Sequence, residues 1–443
     1  MNIQLSEHFT YGKLLKFTFP SIVMMVFTSI YGVVDGVFVS NFAGSESFAA
    51  VNLIMPFLMI LGAIGFMLGT GGSALVAFIL GTGDGQKANR VFSLMVYVLI
   101  VLGGIFMVGG ILFMEPMARL LGADEAMLPV CVQYGRIVML GLIPFMLQNT
   151  FQSFLVTAER PHFGLYITIA AGVTNMALDA LFVGVFRWGV AGAAAATVIS
   201  QIVGGVIPFV YFICPNKSKL RLGKTKMDFR MLGKAASNGS SEFMTNVSMS
   251  LVNMLYNWQL MRLIGAQGVA VFGVIMYVSF IFAAIFIGYS MGSAPVIGFH
   301  YGAGNKEELK GLFRKSLWIL LVFSVVLTGL AMMLAKPLAM IFVAYDAELL
   351  ELTKRALTIY SLAFLMLGFN IFASSFFTAL NDGLTSALIS FGRTLMFQVG
   401  SVLLLPLIFD VDGIWAAVIL AEGLALILSA VCVIRNRKKY GYA

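Results

Sequence analysis

The sequence predicts an all-α integral membrane protein, with twelve transmembrane helices in two pseudo-symmetric six-helix lobes. Three observations lead there. The 443-residue chain is 60% hydrophobic and only 11% charged, with mean hydropathy +0.96. Soluble domains carry about 25% charged residues, so this chain cannot keep a soluble surface. Apolar runs of about 20 residues, long enough to cross a bilayer, recur from end to end. The second half also repeats the first. Set back by 221 residues, Gly302 falls on Gly81, Gly304 on Gly83, Phe313 on Phe92, Pro337 on Pro116 and Asn370 on Asn149. Thr378 and Ala379 fall on Thr157 and Ala158, and with slight slippage Gly413-Ile414 meets Gly189-Val190.

The expected spans are 14–41, 50–80, 91–114, 130–158, 163–186 and 190–213, then 233–261, 268–300, 314–335, 350–379, 384–409 and 413–435. Residues 1–213 form the first lobe, 214–232 a basic linker and 233–443 the second lobe. An even number of spans per half makes both halves cross in the same direction, as parallel repeats about an axis along the membrane normal. The first span follows Lys13 and Lys16 but is too long for a signal peptide, contains Pro20 and Asp35, and lacks a small-residue cleavage site. Several spans exceed the bilayer, so bends are expected at Pro20, Pro56, Pro144, Pro208, Pro295 and Pro406. The loops GTGDGQKANRVF and YGAGNKEELKGLF each carry Gly-x-Gly. With no alternating strands around them, they are tight span-to-span turns and not nucleotide sites.

The net charge of +8 follows membrane topology. With both termini inside, twenty of the 28 Lys and Arg lie in inner segments, seven in outer ones, and only Arg393 falls mid-span. Nucleic acid is therefore not an expected partner; the lipid bilayer is. The linker's charge run reads as a solvated cytoplasmic segment touching anionic lipid. Cys131, Cys214 and Cys432 lie far apart without a CxxC, giving neither a disulfide framework nor a metal site. His8, His162 and His300 sit at segment ends or in loops, which argues against a His-based metalloenzyme. No cofactor is expected.

The chemistry lies in the polar residues inside the spans. Asn175 and Asp179 are four apart and share a helix face, ahead of a tight turn at Arg187-Trp188-Gly189. At 1.5 Å per residue, Asp35 lies roughly 9 Å and Asp179 and Thr197 roughly 10 Å from the outer surface, with Asn175 a turn deeper. Four oxygen-bearing side chains on three helices thus share a layer. Carboxylate, amide and hydroxyl oxygens suit a hard cation such as Na⁺, and the same layer suits a proton, because two carboxylates close together in low dielectric cannot both stay ionised without a cation. Thr197 has a blander role open to it, bonding its own helix backbone. In the second half the buried acid is Glu242, in NGSSEFMTNVSMS, followed by Asn253 and Asn257. Glu242 is either a substrate or proton site or a structural partner of Arg393. Glu422 competes for that arginine, and Arg393 with Glu422 is the expected structural ion pair. The 27 Met supply an adaptable wall suited to varied apolar ligands.

Twelve spans in two halves, Asp35, the Asn-x-x-x-Asp at 175 and 179, and WGVAGAAAAT at 188–197 resemble the multidrug and toxic compound extrusion (MATE) family. The NGSSEF stretch is similar to its bacterial MepA-like branch. The resemblance covers nearly the whole chain and implies a V-shaped pair of lobes around a central cavity. It implies cation-driven export of organic, often cationic, amphipathic compounds across a bacterial or archaeal cytoplasmic membrane. A monomer is expected, and the Lys and Arg bias places both termini in the cytoplasm. In DinF-like relatives the resemblance implies a cation site that carries over to Asp35, Asn175, Asp179 and Thr197. In NorM-like relatives an acid in span seven matters, which matches Glu242. The span-ten Asp that accompanies it there is not evident; Asn370 lies in that region. The reading is a secondary active antiporter coupled to Na⁺ or H⁺. A lipid-linked precursor flippase of the same superfamily would call for several basic cavity residues. A membrane-embedded enzyme would need an acidic or His cluster at one face, and the inner loops offer Lys, Gly and isolated acids instead.

Overall fold

In the computed structural model, which describes residues 3–38, 45–344 and 346–442, no strand occurs among the described residues. The first half runs through α1 (Tyr11–Phe38), α2 (Ser45–Gly81), α3 (Gly85–Leu112), the short α4 (Met114–Leu120), α5 (Leu128–Leu140), α6 (Leu142–Thr157) and α7 (Pro161–Asp179). A π-helical turn, Ala180–Val185, then leads to α8 (Gly189–Ile213). The second half repeats the plan. It has α9 (Phe229–Ile264), α10 (Ala266–Gly302), α11 (Lys306–Met333), the short α12 (Ala335–Val343), α13 (Ala347–Ser361), α14 (Phe364–Ala379) and α15 (Gly383–Phe391). A π-helical turn Gly392–Phe397, α16 (Gln398–Leu404) and α17 (Pro406–Tyr440) complete it. The expected outer end of span one, at 39–41, lies outside the described residues.

Nine described helices are long and apolar enough to cross a membrane alone. Two more spans are bent pairs, α5 with α6 at 54° and α13 with α14 at 48°. The first bend sits at Gly141, with Pro144 in the opening turn of α6, where a missing N–H costs little. The second, at Leu362-Ala363, has no proline, so proline spacing could not announce it. The remaining expected span, 233–261, is α9. It is too polar to pass as a lipid-facing helix because Glu242, Thr245 and Asn253 face a cavity and not lipid.

Helix contacts come in matched sets. α1 packs on α7 as α9 packs on α15; α2 packs on α6 as α10 packs on α14. Between halves, α1 meets α10 and α2 meets α9, which is the exchange a two-fold axis produces. That axis passes between Gly81 and Gly302. A methyl group on either would fall 2.1 Å from a carbonyl of the other half, at Phe299 or Phe78. Two residues later Gly83 and Gly304 take positive φ, +87° and +68°, which only glycine adopts freely. Asp84 and Asn305 then cap α3 and α11, accepting from Lys87 N at 2.9 Å and Glu308 N at 3.1 Å. The repeated loops are span-to-span turns, and their first glycine is also the axis contact.

The N-terminal segment closes this end. Leu5 N donates to Glu159 Oε1 (2.8 Å), which also accepts from Lys219 Nζ (2.7 Å). His8 Nδ1 lies 2.6 Å from Glu308 Oε2, and Phe9 N donates to Glu308 Oε1 (2.9 Å). Leu5, Phe9, Leu14 and Phe17 are buried in a core otherwise built mostly from second-half residues such as Tyr289 and Phe376. The segment at 3–10 therefore bonds to both halves at once.

Candidate functional site

Polar side chains gather in two places inside the bundle. In the first half, α7 presents Asn175 and Asp179 one turn apart, both buried. Asp179 is the last residue before the π-helical turn, a local widening that recurs at functional sites. α1 packs along α7 and sets the Asp35 carboxyl against Asp179 and Asn175. Among the described residues no hydrogen bond of good geometry reaches Asp35 Oδ1, Asn175 Oδ1 or either Asp179 oxygen. Buried oxygens are ordinarily paired, so this convergence of unpartnered hard donors is a built feature. Tyr31, one turn before Asp35, and the fully buried Tyr134 on α5 are near the acids, and Gln148 is near the Tyr31 hydroxyl. Thr197 stands on α8, half-buried. Its carbonyl accepts from Ser200 Oγ at 2.8 Å, and no hydrogen bond among the described residues links its hydroxyl to the acids. The structure thus brings together Asp35, Asn175 and Asp179 and leaves Thr197 without a bond to them.

A cavity of about 270 Å³ lies between the halves. From the first half Met25, Thr70, Asn149 and Gln152 line it; from the second come Glu242, Met249, Asn253, Arg393 and Glu422. Arg393 sits on the second π-helical turn and donates to Glu422 Oε1 at 3.3 Å. Asn370 Nδ2 holds the other carboxylate oxygen at 2.7 Å and the Glu422 carbonyl at 2.9 Å, while Ser429 Oγ fixes the Asn370 oxygen at 2.9 Å. Asn370 is therefore not a lining residue. It is fully buried behind Glu422 and positions it. Asn257 is not in the lining either, since one turn beyond Asn253 it is exposed. Glu242 faces the cavity with no hydrogen bond or ion pair on its carboxyl among the described residues, and Arg393 is the cation near it.

Sequence reasoning missed several residues. Tyr31 was within reach, since it shares a helix face with Asp35. Tyr134, Gln148 and the hydroxyl cluster of Ser374 with Ser386 (2.9 Å) and Ser390 (2.7 Å) meet only through tertiary packing. No described group of three or more His, Cys, Asp or Glu could hold a metal ion.

Matched helical halves around a largely apolar cavity, with unpartnered acids buried in the first half and an unpaired Glu242 facing the cavity from the second, define a multi-pass membrane transporter. The sequence profile of the MatE family matches residues 20–181 and 243–402, one stretch in each half. The chain belongs to the MatE family, and it is accordingly a transporter and not an enzyme. It is 23% identical to the multidrug export protein MepA of Staphylococcus saprophyticus, over 95% of this chain and 91% of that protein. It is 22% identical to the MepA of Staphylococcus aureus strain MSSA476, over 96% and 93%. Among solved structures it superposes on an outward-facing multidrug resistance MATE family transporter with a TM-score of 0.91 at 21% identity, covering 98% and 97% of the two chains.

Proposed function

We propose that this protein is a secondary active efflux antiporter of the cytoplasmic membrane of a bacterium or archaeon, with both termini inside. It exports organic, often cationic, amphipathic compounds in exchange for Na⁺ or H⁺. The observation that carries the reading is the set of unpartnered oxygens where Asp35, Asn175 and Asp179 converge. Two carboxylates in contact in low dielectric need a proton or a cation between them. The donor set, two carboxylates and an amide, fits either ion. Loading and unloading would change the charge between α1 and α7. Because α1 also packs along α10 of the other half, that change bears on how the halves meet. The equilibrium moves only as far as the ion's differential affinity for the two arrangements allows.

The cavity supports the substrate class. Its walls mix Met and Phe with hydroxyls and amides, and of its two carboxylates Glu422 is neutralised by Arg393 while Glu242 is not. That leaves one carboxyl without a charge partner facing an adaptable apolar wall, a site an amphipathic cation would complement. The names of the MepA relatives agree with this class. A flippase for phosphate-bearing lipid precursors is less well served, because the cavity's arginine is already engaged. The deciding experiment is efflux of a fluorescent cationic dye from vesicles, with Na⁺ and pH gradients imposed separately, for the wild type and Asp179→Asn. Efflux driven by one gradient and lost in the variant supports the antiporter and identifies its ion. Dye movement that ignores both gradients would sink it.

A further inference from the structure

The connector between the halves is not a loose tether. Leu222 N donates to Phe212 O (2.9 Å), Arg221 N to Asn89 Oδ1 (2.9 Å), Gly223 N to Ser93 Oγ (3.0 Å) and Thr225 Oγ1 to the Arg90 carbonyl (2.9 Å). Residues 221, 223 and 225 thus bond inward to α3, and the intervening Lys224 and Lys226 are exposed. They line a groove of about 1110 Å³ opposite Lys87 and Arg90 of α3. None of these four cations forms an ion pair among the described residues. The groove's two carboxylates are committed as helix caps, Asp84 to Lys87 N and Asp228 to Arg230 N and Met231 N. At its rim Met227 and Phe229 are strongly exposed, Phe229 to 78%.

Four cations without ion pairs, two of them on a segment whose backbone is bonded to α3, outnumber the groove's two carboxylates and stand beside two projecting apolar side chains, which matches the layering of a membrane interface, phosphate above and acyl chain below. We propose that this groove is a binding site for the phosphate headgroup of an anionic phospholipid, with Met227 and Phe229 set into the acyl region. The charge run of the linker thereby acts as one wall of a defined site, whose other wall is the start of α3.

The test uses the full-length protein in detergent, titrated with phosphatidylglycerol or phosphatidylcholine and read by native mass spectrometry. Lys224→Gln with Lys226→Gln is compared with a matched control pair on α11, Lys310→Gln with Arg314→Gln, with thermal unfolding verifying that each variant is folded. The wild type is expected to prefer phosphatidylglycerol. The groove pair should weaken that lipid's binding about 25-fold, roughly fivefold for each charge, while the control pair leaves it within about twofold. An equal loss in both pairs would show unspecific surface attraction and overturn the site. So would a lack of preference over phosphatidylcholine. Binding of inorganic phosphate that the groove pair abolishes, with phosphatidylglycerol binding unaffected by that pair, would assign the groove to free phosphate and overturn the lipid assignment.

Discussion

Asp179 is fully buried beside Asp35 and Asn175, and no hydrogen bond of good geometry reaches its carboxylate among the described residues. Such a group is tolerated only if something it binds in function offsets its cost. Replacing it with Asn keeps the shape and removes the charge. Gradient-driven dye efflux is then expected to fall by about 5- to 150-fold, the range of ordinary coupling energies, while passive dye binding in the cavity stays. Glu242→Gln should do the reverse, weakening affinity for cationic dyes more than for neutral ones, measured by dye quenching at equilibrium. Asp382, in the loop between α14 and α15, carries a different burden. Burial pushes its carboxyl up, but hydrogen bonds from Tyr440 and Thr385 and the nearby Lys439 outweigh this and leave it below the usual range. A lowered carboxylate stabilises the fold above its unfolded value of about 4, and the stabilisation is lost as pH falls through the folded value. Asp382→Asn should therefore lower the unfolding temperature at neutral pH, with the gap to wild type closing in acid. At this scale the sequence was legible wherever charge interrupts an apolar run, as at Asp35, Asp179 and Glu242. It was silent where ordinary polar residues are recruited by packing, as with Tyr134 and the Ser374 cluster.

All the spans were readable from the sequence, α9 included; their bends and π-helical turns were not. α9 is the least apolar of the spans because its polar face, with Glu242, Thr245 and Asn253, is turned to the cavity. The bend between α13 and α14 has no proline, and the two π-helical turns, one directly after Asp179 and one holding Arg393, have no sequence signature at all. The N-terminal segment before Lys13 carries no signal in the sequence that assigns it a role. It turns out to bridge the halves through Glu159 and Glu308, because a nearly buried Glu308 takes both a side-chain and a backbone donor from it. Charge-assisted hydrogen bonds of this kind contribute about 1.5–3 kcal/mol each. Glu308→Gln with His8→Ala should therefore raise hydrogen exchange of the amides at 3–10 by tenfold or more. Unchanged protection there would show that the buried Leu5 and Phe9 hold the segment unaided.

For the whole molecule, the repeat at 221 residues foretold more than a shared ancestry of halves. Residues matched by that offset, Gly81 and Gly302, each meet the backbone of the other half, at Phe299 and Phe78, because a two-fold axis repeats every contact and a crossing this close admits only glycine. What the offset could not foretell is the asymmetry laid over it, an acid pair on α1 and α7 in one half and an Arg393–Glu422 pair with a free Glu242 in the other. The axis contact yields a prediction for the transport cycle. If the halves must separate at this end to admit substrate from inside, a side chain at the axis should favour the separated arrangement. Gly302→Val places methyl groups against the Phe78 carbonyl, where a Cβ alone would already sit 2.1 Å away. Ser73, buried at the cavity wall, is a suitable reporter when changed to Cys in a background where the exposed Cys214 is Ser. A membrane-impermeant maleimide applied from the inner side should label Ser73→Cys several-fold faster in the Gly302→Val protein, with the unfolding temperature little changed. Unaltered labelling with a large loss of stability would mean that this crossing is part of the static core, and that the halves part somewhere else.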